Sequence, residues 1–228
     1  MAGQGLKYNV DIVMCIDTTG SMGELLSLVK TNALKFYPDL KKACEEKDKT
    51  IDQLRIKVID FKDYNADGAD GMHETEFYNF PEQEDEFKNY VNNLTPDGGG
   101  DEPENGLEAI ALAMNSDWTT GGDKRRHIVI VWSDASAHPL ETSLTKNSFY
   151  PAGMPADFNE LTDWWEEEQD GKMNKAAKRL LIFAPDTEPW TQMGLNFANA
   201  IHFPAKVGEG LSDVDYKTIL ASDRKSVV

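Results

Sequence analysis

The stretch "MCIDTTGSMGELL", Met14–Leu26, joins the end of a strand directly to the start of a helix. The residues before Asp17 are apolar from Val10 to Ile16 apart from Asp11, which is typical of a buried strand. A carboxylate and three hydroxyls then fall within the five residues that end at Ser21. Helix capping needs one such side chain, so four of them indicate that these oxygens hold a ligand.

Strand and helix patterns alternate along the rest of the chain. Strands are predicted at Asn9–Ile16, Gln53–Phe61, His73–Phe80, His127–Ser133, Arg179–Pro185 and Ala200–Ala205. Helices are predicted at Ser21–Glu46, Glu82–Asn93, Glu104–Met114, Phe158–Glu168, Trp190–Phe197 and Asp213–Ala221. Pro38 is expected to kink or divide the first helix.

This alternation predicts an α/β fold with three layers, similar to a Rossmann fold. A mostly parallel central sheet carries one antiparallel edge strand, His73–Phe80, and helices cover both of its faces. We expect a single domain over residues 5–226. Within it, residues 135–178 contain a long excursion between the central strand and the next strand, and such connections are usually functional or carry a helix.

Composition narrows the classes of function. The 228 residues include 40 acidic and 23 basic side chains, a formal net charge of -17, which argues against binding nucleic acid or an anionic membrane. No stretch approaches the roughly 18 apolar residues of a membrane span. The first residues lack the pattern of a signal peptide, and Cys15 and Cys44 form no CxxC pair, so we expect a cytoplasmic protein.

Polar side chains follow three of the predicted strands, at the sheet edge where such folds bind ligands. Asp17, Thr19 and Ser21 follow the first strand, Asp63 follows the second, and Asp134 follows the central strand. The segment "GGGDEPE", residues 98–104, precedes a helix and can fold over the same edge. These positions bring many oxygen ligands to one place.

Their chemistry fits a hard divalent cation. Asp17, Thr19 and Ser21 lie at alternate positions of a tight loop, so their oxygens can turn to one point. The absence of His and Cys from the set favours Mg²⁺, Mn²⁺ or Ca²⁺ over Zn²⁺. Two hydroxyls with few carboxylates would leave such an ion with enough positive charge to attract a carboxylate from outside.

Plainer interpretations stay open at this point. Asp17 or Thr19 could cap the first helix, or Ser21 could be its N-cap with Glu24 completing a capping box. Asp134 could cap the next segment in the same way. Asp63 could belong to an ordinary solvated turn, since "KDYNADGAD" is rich in Asp and Gly.

The loops also resemble a known family. "DTTGSM", residues 17–22, looks like the DxSxS start of the metal-ion-dependent adhesion site of von Willebrand factor type A domains, with Thr19 in place of the first serine. "DEPENGLEAI" resembles the I-like domain of integrin β subunits, which implies Glu104 as the ligand of the second loop. "SDASAH" is similar to the integrin β stretch "TDAKTH", which implies Asp134 as the last ligand.

The same resemblance implies a neighbouring Ca²⁺ site. It would use Glu104 again, with Asp101, the Pro103 carbonyl and Asp63. Gly99 stands where the integrin site has an asparagine, which is a departure from that pattern. Asp101 is also an alternative to Glu104 in the primary site, and the sequence does not decide between them.

The resemblance implies a metal-dependent protein-binding module and not an enzyme. Mg²⁺ or Mn²⁺ would coordinate an Asp or Glu of a protein partner, within a multiprotein system inside a bacterial cell. One alternative is a Mg²⁺-dependent phosphoryl-transfer or hydrolase enzyme, although Thr19 stands where phosphatases with a nucleophile such as Asp17 need a second Asp. Another is a structural or regulatory subunit that binds through the aromatic segment Phe149–Trp165.

Overall fold

The computed structural model describes residues 7–46, 49–100, 102–140, 147–166 and 173–204. Within these ranges the strands of the sheet are β1 (Lys7–Asp17), β2 (Thr50–Phe61), β3 (Met72–Glu74), β4 (Tyr78–Phe80), β5 (Lys124–Trp132), β6 (Lys178–Phe183) and β7 (Ala200–His202). The helices are α1 (Gly23–Glu45), α2 (Tyr64–Asp67), α3 (Glu84–Asn93), α4 (Gly106–Met114), α5 (Phe158–Glu166) and α6 (Trp190–Asn196). Short 3₁₀ turns, Gly20–Met22 and Gly68–Gly71, precede α1 and follow α2.

The sheet runs in the order β3-β2-β1-β5-β6-β7, with β4 also paired to β2. β1, β2, β5, β6 and β7 are parallel, whereas β3 and β4 run antiparallel to β2. This confirms the predicted mostly parallel sheet with an antiparallel edge. The predicted edge strand His73–Phe80 is interrupted after Glu74 because the Thr75 hydroxyl accepts the hydrogen bond from Val58 N, at 3.0 Å.

Side chains of β1 alternate between two buried layers, which is why its sequence is apolar almost throughout. Val10, Ile12 and Met14 pack in a core with α1 and α3, while Val13 and Cys15 pack in a second core with α4, α5 and α6. All five are fully buried. Helices therefore cover both faces of the sheet, as predicted.

α1 is continuous from Gly23 to Glu45, so Pro38 does not divide the helix, which was one of the two expected outcomes. Buried residues lie on both sides of the proline, with Val29 and Phe36 before it and Leu40 after it. Packing of this single apolar stripe holds the helix together across the hydrogen bond that proline removes. The predicted start at Ser21 lies in the 3₁₀ turn that precedes α1.

The excursion after β5 returns to the core through α5. Trp165 is fully buried, donates from Nε1 to Ala198 O at 2.8 Å, and stacks on Phe197 with ring centroids 5.8 Å apart. The predicted end of this helix at Glu168 lies outside the described residues, as do the predicted helix Asp213–Ala221 and both ends of the domain bounds. No helix in the described ranges is long and apolar enough to cross a membrane.

Candidate metal centre

The loop after β1 is shaped around the carboxylate of Asp17. Thr18 N donates to Phe61 O at 3.0 Å, which ends the pairing of β1 with β2. Asp17 Oδ1 then accepts from Thr19 N at 2.9 Å and from Thr19 Oγ1 at 2.7 Å. Ser133 Oγ donates to Asp17 Oδ2 at 2.7 Å. Both carboxylate oxygens are thus fixed in position by the ends of β1 and β5.

Four of the predicted ligands form one continuous chain of oxygens. Thr19 Oγ1 lies 3.0 Å from Ser21 Oγ, and Ser21 Oγ donates to Asp134 Oδ1 at 3.0 Å. Adjacent oxygens of an octahedron around Mg²⁺ are about 2.9 Å apart, given metal–oxygen distances of 2.0–2.1 Å. The spacings of 2.7–3.0 Å from Asp17 to Asp134 therefore fit a shared cation.

Helix capping does not account for these side chains. Thr19 precedes the 3₁₀ turn and Met22 precedes α1, and neither makes a capping hydrogen bond through its side chain. Asp17 instead accepts a hydrogen bond from Thr19, and Ser21 contacts both Thr19 and Asp134. After β5 the turn is stabilised by Ser133, whose hydroxyl accepts from Ala135 N at 3.2 Å, and this leaves the Asp134 carboxylate directed at Ser21.

Glu104 enters the site through backbone pairing and not as the first residue of a helix. The prediction of a helix from Glu104 is corrected, since α4 begins at Gly106 and Glu104 forms an isolated parallel bridge with Ala137. Glu104 N donates to Ser136 O at 3.0 Å, and His138 N donates to Glu104 O at 2.8 Å. These bonds fasten the second loop to the third.

The side chain of Glu104 is an uncompensated buried carboxylate. It is 4% exposed, and within the described part of the chain its Oε2 atom has no hydrogen-bond partner. Burial, together with the negative charges of Asp17, Asp63, Asp67 and Asp134, raises the pKa of Glu104 to about 9. A divalent cation would favour the ionised form of this group and satisfy its free oxygen.

Asp17 is in a similar electrostatic position. Burial raises its pKa to about 6, although the hydrogen bonds from Ser133 and Thr19 act in the opposite direction. Bound metal would supply positive charge where the fold has collected carboxylates. The unpaired oxygen of Glu104, the oxygen spacings and the hydroxyl and carboxylate donors are those expected for a hard divalent cation.

Asp63 has a defined local role beside the centre. Its Oδ1 accepts from Asn65 N at 2.8 Å, which caps α2, and lies 3.4 Å from His138 Nε2. The side chain is buried, which contradicts the alternative that Asp63 belongs to a solvated turn. Its charge reaches Glu104, where it contributes to the raised pKa.

Two contributors were missed from the sequence. Ser133 holds Asp17, and Asp67 accepts from Gly99 N at 2.9 Å while raising the pKa of Glu104. Asp67 follows Asp63 by four residues, a spacing that places both on one face of a helical turn. The sequence does not indicate this helical turn, because a segment so rich in Asp and Gly is typical of a solvated turn. Asp101 lies outside the described residues.

Gly99 makes close backbone approach possible and yields a prediction. With a φ of +93°, a Cβ there would lie 2.6 Å from Thr19 Cβ and 3.1 Å from Glu104 Oε1. We expect Gly99→Ala to lower the free energy of unfolding by about 1–3 kcal/mol through strain and overpacking. Gly121→Ala is the matched control, because nothing lies within 4 Å of its Cβ position. Urea denaturation measures both, and equal losses would contradict the close contact.

Comparison with known proteins identifies relatives of the fold and of the sequence. The model of the von Willebrand factor A domain family matches residues 11–143, more than half of the chain. Alpha-protein kinase vwkA of Dictyostelium discoideum is 25% identical over 146 residues, which cover 64% of this chain. The match spans 21% of that kinase, so the chain corresponds to about a fifth of this relative.

Solved structures extend the comparison beyond recognisable sequence. The pilus adhesin SpaC from Lactobacillus rhamnosus GG is 11% identical with a TM-score of 0.51, over 90% of this chain and 30% of the adhesin. Proximal thread matrix protein 1 from the mussel byssus was solved with zinc in its metal-ion-dependent adhesion site (MIDAS) motif. It is 11% identical with a TM-score of 0.47, over 90% of this chain and 46% of that protein. The likeness to SpaC shows a shared fold.

Proposed function

Because the chain belongs to the von Willebrand factor A domain family, we propose that it is a metal-dependent protein-binding module. A divalent cation, Mg²⁺ or Mn²⁺, would be held by Asp17, Thr19, Ser21, Asp134 and Glu104 and would bind an Asp or Glu side chain of a partner protein. The observation that carries this proposal is the oxygen chain from Asp17 to Asp134, whose spacings fit one ion.

Exposure indicates how a partner would reach the ion. Asp17 and Thr19 are buried, whereas Ser21 is exposed and Asp134 is half-buried. The centre is therefore closed towards the sheet and open at Ser21 and Asp134. A partner carboxylate would approach from this open side.

Charge makes the role of the metal essential. The chain has a formal net charge of -17, and the centre itself collects carboxylates, so both would repel an acidic partner. A cation bound between them reverses the local sign. Removal of the cation should then abolish binding and not merely weaken it.

The geometry favours binding over catalysis. A phosphoryl-transfer mechanism would need Asp17 as a nucleophile with a free oxygen, yet Asp17 is fully buried and both of its oxygens accept hydrogen bonds. Thr19, at the position of the general acid, donates to Asp17 itself. The alternative is a subunit that binds through the aromatic segment Phe149–Trp165. Trp165 is fully buried in the core and cannot contact a partner, whereas Phe149 is 55% exposed.

Finer features remain part of the proposal. A second ion, Ca²⁺, would lie beside Glu104 with Asp63, and Asp67 is a further carboxylate at that position. We place the protein in the cytoplasm, as one component of a multiprotein assembly. We propose no nucleic-acid or membrane ligand, since the net negative charge would oppose both.

Selection from a random displayed peptide library on the immobilised protein in Mg²⁺ tests this function. We expect the enriched peptides to share an Asp or Glu, and we expect each to lose binding in EDTA and on Asp134→Ala. Asp52→Ala is the matched control, because that carboxylate is exposed and pairs with Lys7 at the opposite end of the sheet.

Three results would refute the proposal. The first is a set of enriched peptides without a common acidic residue. The second is binding by acidic peptides that persists in EDTA and in Asp134→Ala. Loss of binding in Asp52→Ala as well would show a general charge effect in place of a metal centre.

A further inference from the structure

A second feature adjoins the metal centre and has no role in it. A cavity of about 210 Å³ lies between the end of β2 and α3, and its walls include Thr18, Asp60, His73, Tyr90 and Leu94. Thr18 is the residue between Asp17 and Thr19, so the cavity and the metal loop share a wall. Its volume suits one side chain and is smaller than the pockets of about 300–1,000 Å³ that take drug-sized molecules.

Asp60 interrupts the row of apolar side chains on one face of β2. Leu54, Ile56 and Val58 are the preceding residues of β2 with the same facing, and all three belong to the apolar core. The next position in this row is Asp60, which is 6% exposed. A buried carboxylate costs stability unless it is compensated, and such departures from a local pattern are expected at functional sites.

The contacts of Asp60 leave room for a ligand. Tyr90 OH donates to Asp60 Oδ1, and His73 Nδ1 lies 3.2 Å from Asp60 Oδ2. A carboxylate offers about four lone-pair positions, so further donors can bind on the side of the cavity. The carboxylate is therefore held in place without being saturated.

Charge decides which ligand the cavity favours. Lys62 also lines the cavity, but its Nζ atom is paired with the carboxylate of Asp97. Within the described residues Asp60 contacts Tyr90 and His73 but no lysine or arginine, so its carboxylate would repel an anion. Lys and Arg side chains bury their alkyl chains against apolar surfaces. Leu94 and the ring of Tyr90 provide such surfaces in the cavity.

We infer that this cavity receives a lysine or arginine side chain of the partner, with the Asp60 carboxylate as its counter-ion. The inference rests on the proposed function for the identity of the partner. Because the cavity and the metal loop share Thr18, the basic residue lies within a few positions of the acidic residue that binds the metal. The pair of sites selects an acidic segment that also carries a nearby positive charge, and disfavours segments that are only acidic.

The first test examines the cavity without metal or partner. We would titrate Nα-acetyl-arginine methylamide into the ¹⁵N-labelled full chain in EDTA and follow the amide signals of Thr18, Leu94 and Thr95. We expect saturable shifts centred on these amides, and at least tenfold weaker binding of the uncharged citrulline analogue. Equal binding of the two compounds, or shifts elsewhere only, would overturn the inference without requiring any variant to fold.

Variants then assign the charge. Asp60→Asn is expected to remove the preference for arginine over citrulline. Asp70→Asn is the matched control, since this carboxylate is 81% exposed and lies 4.0 Å from the other side of the His73 ring. It should leave the preference intact. An unchanged preference in Asp60→Asn would overturn the role of this carboxylate.

The last test separates this inference from the proposed function. Peptides with one Asp and one Arg, spaced by up to about four glycines, are measured by fluorescence anisotropy in Mg²⁺ and in EDTA. We expect replacement of the peptide Arg by Ala to weaken Mg²⁺-dependent binding about tenfold in the wild type and to have no effect in Asp60→Asn. Mg²⁺-dependent binding without an effect of Arg overturns the cavity inference alone. Loss of Mg²⁺ dependence with retained acetyl-arginine binding overturns the proposed function alone.

Discussion

Asp17→Asn is expected to abolish stabilisation by Mg²⁺ and, at the same time, to make the protein more stable in EDTA. The two effects have opposite signs because burial raises the pKa of Asp17 to about 6 and thus disfavours its charged form at neutral pH. Asparagine removes that charge and keeps an oxygen for Thr19, while the Ser133 hydroxyl can turn to accept from the new amide. The same change would remove a carboxylate from the proposed metal ligands.

Thermal unfolding measures both effects in one experiment. In the wild type, a cation at a hundredfold excess over Kd stabilises the fold by about 2.7 kcal/mol. We expect this gain with Mg²⁺ or Mn²⁺ in the wild type and no gain in Asp17→Asn. Asp52→Asn makes the same chemical change at an exposed position and should respond to metal like the wild type. An equal shift with metal in Asp17→Asn would remove Asp17 from the centre.

Arg55→Met is expected to destabilise the fold by about 3 kcal/mol, because it leaves a buried charge without its partner. Asp11 is fully buried in β1 and accepts from Arg55 Nε at 2.9 Å and from Arg55 Nη2 at 2.8 Å. Thr119 N also donates to Asp11 Oδ2, at 2.7 Å. The side chain of Arg55 is 15% exposed and packs over Phe77, so solvent replaces it only in part.

Lys57→Met is the matched control on the same strand. Lys57 is 13% exposed, much like Arg55, but its partner Glu74 is 38% exposed and stays solvated without it, so we expect a loss of about 0–1 kcal/mol. Urea denaturation compares the two variants, and equally small losses would contradict a dependence of Asp11 on Arg55. This ion pair lies towards the N-terminal end of β1, away from Asp17, so we expect the folded Arg55→Met protein to bind Mg²⁺ like the wild type.

The two predictions separate what each end of the sheet contributes. Arg55 pairs with Asp11 near the end where β1 begins, whereas burial raises the pKa of Asp17, so its charged form would gain from the proposed cation. A buried site with several carboxylates would gain more stability from a bound cation than a site without such like charges. The fold provides the stability that allows Asp17 and Glu104 to stay ionisable in a buried position.

The layers of the fold, and an oxygen-rich edge of the sheet, can be predicted from the sequence alone. Apolar residues in β1 at consecutive positions require burial on both faces, and this pattern is local. The loop from Asp17 to Ser21 contains one carboxylate and three hydroxyls, and this composition predicts oxygen ligands. A resemblance between loops implies Glu104 as a ligand, which stays a prediction. Its raised pKa could not be foreseen because the charges around it come from distant segments.

The contacts between these groups, by contrast, depend on the tertiary structure. The register of β1 on β5 sets Ile16 opposite Trp132, so the next residues, Asp17 and Ser133, come together although they are 116 positions apart. In the sequence Asp60 is only one residue of a predicted strand. In the folded chain α3 and β3 place Tyr90 and His73 beside it. Local periodicity reports which face of an element is buried, but contacts between distant segments depend on strand register and packing, which no short stretch of sequence encodes.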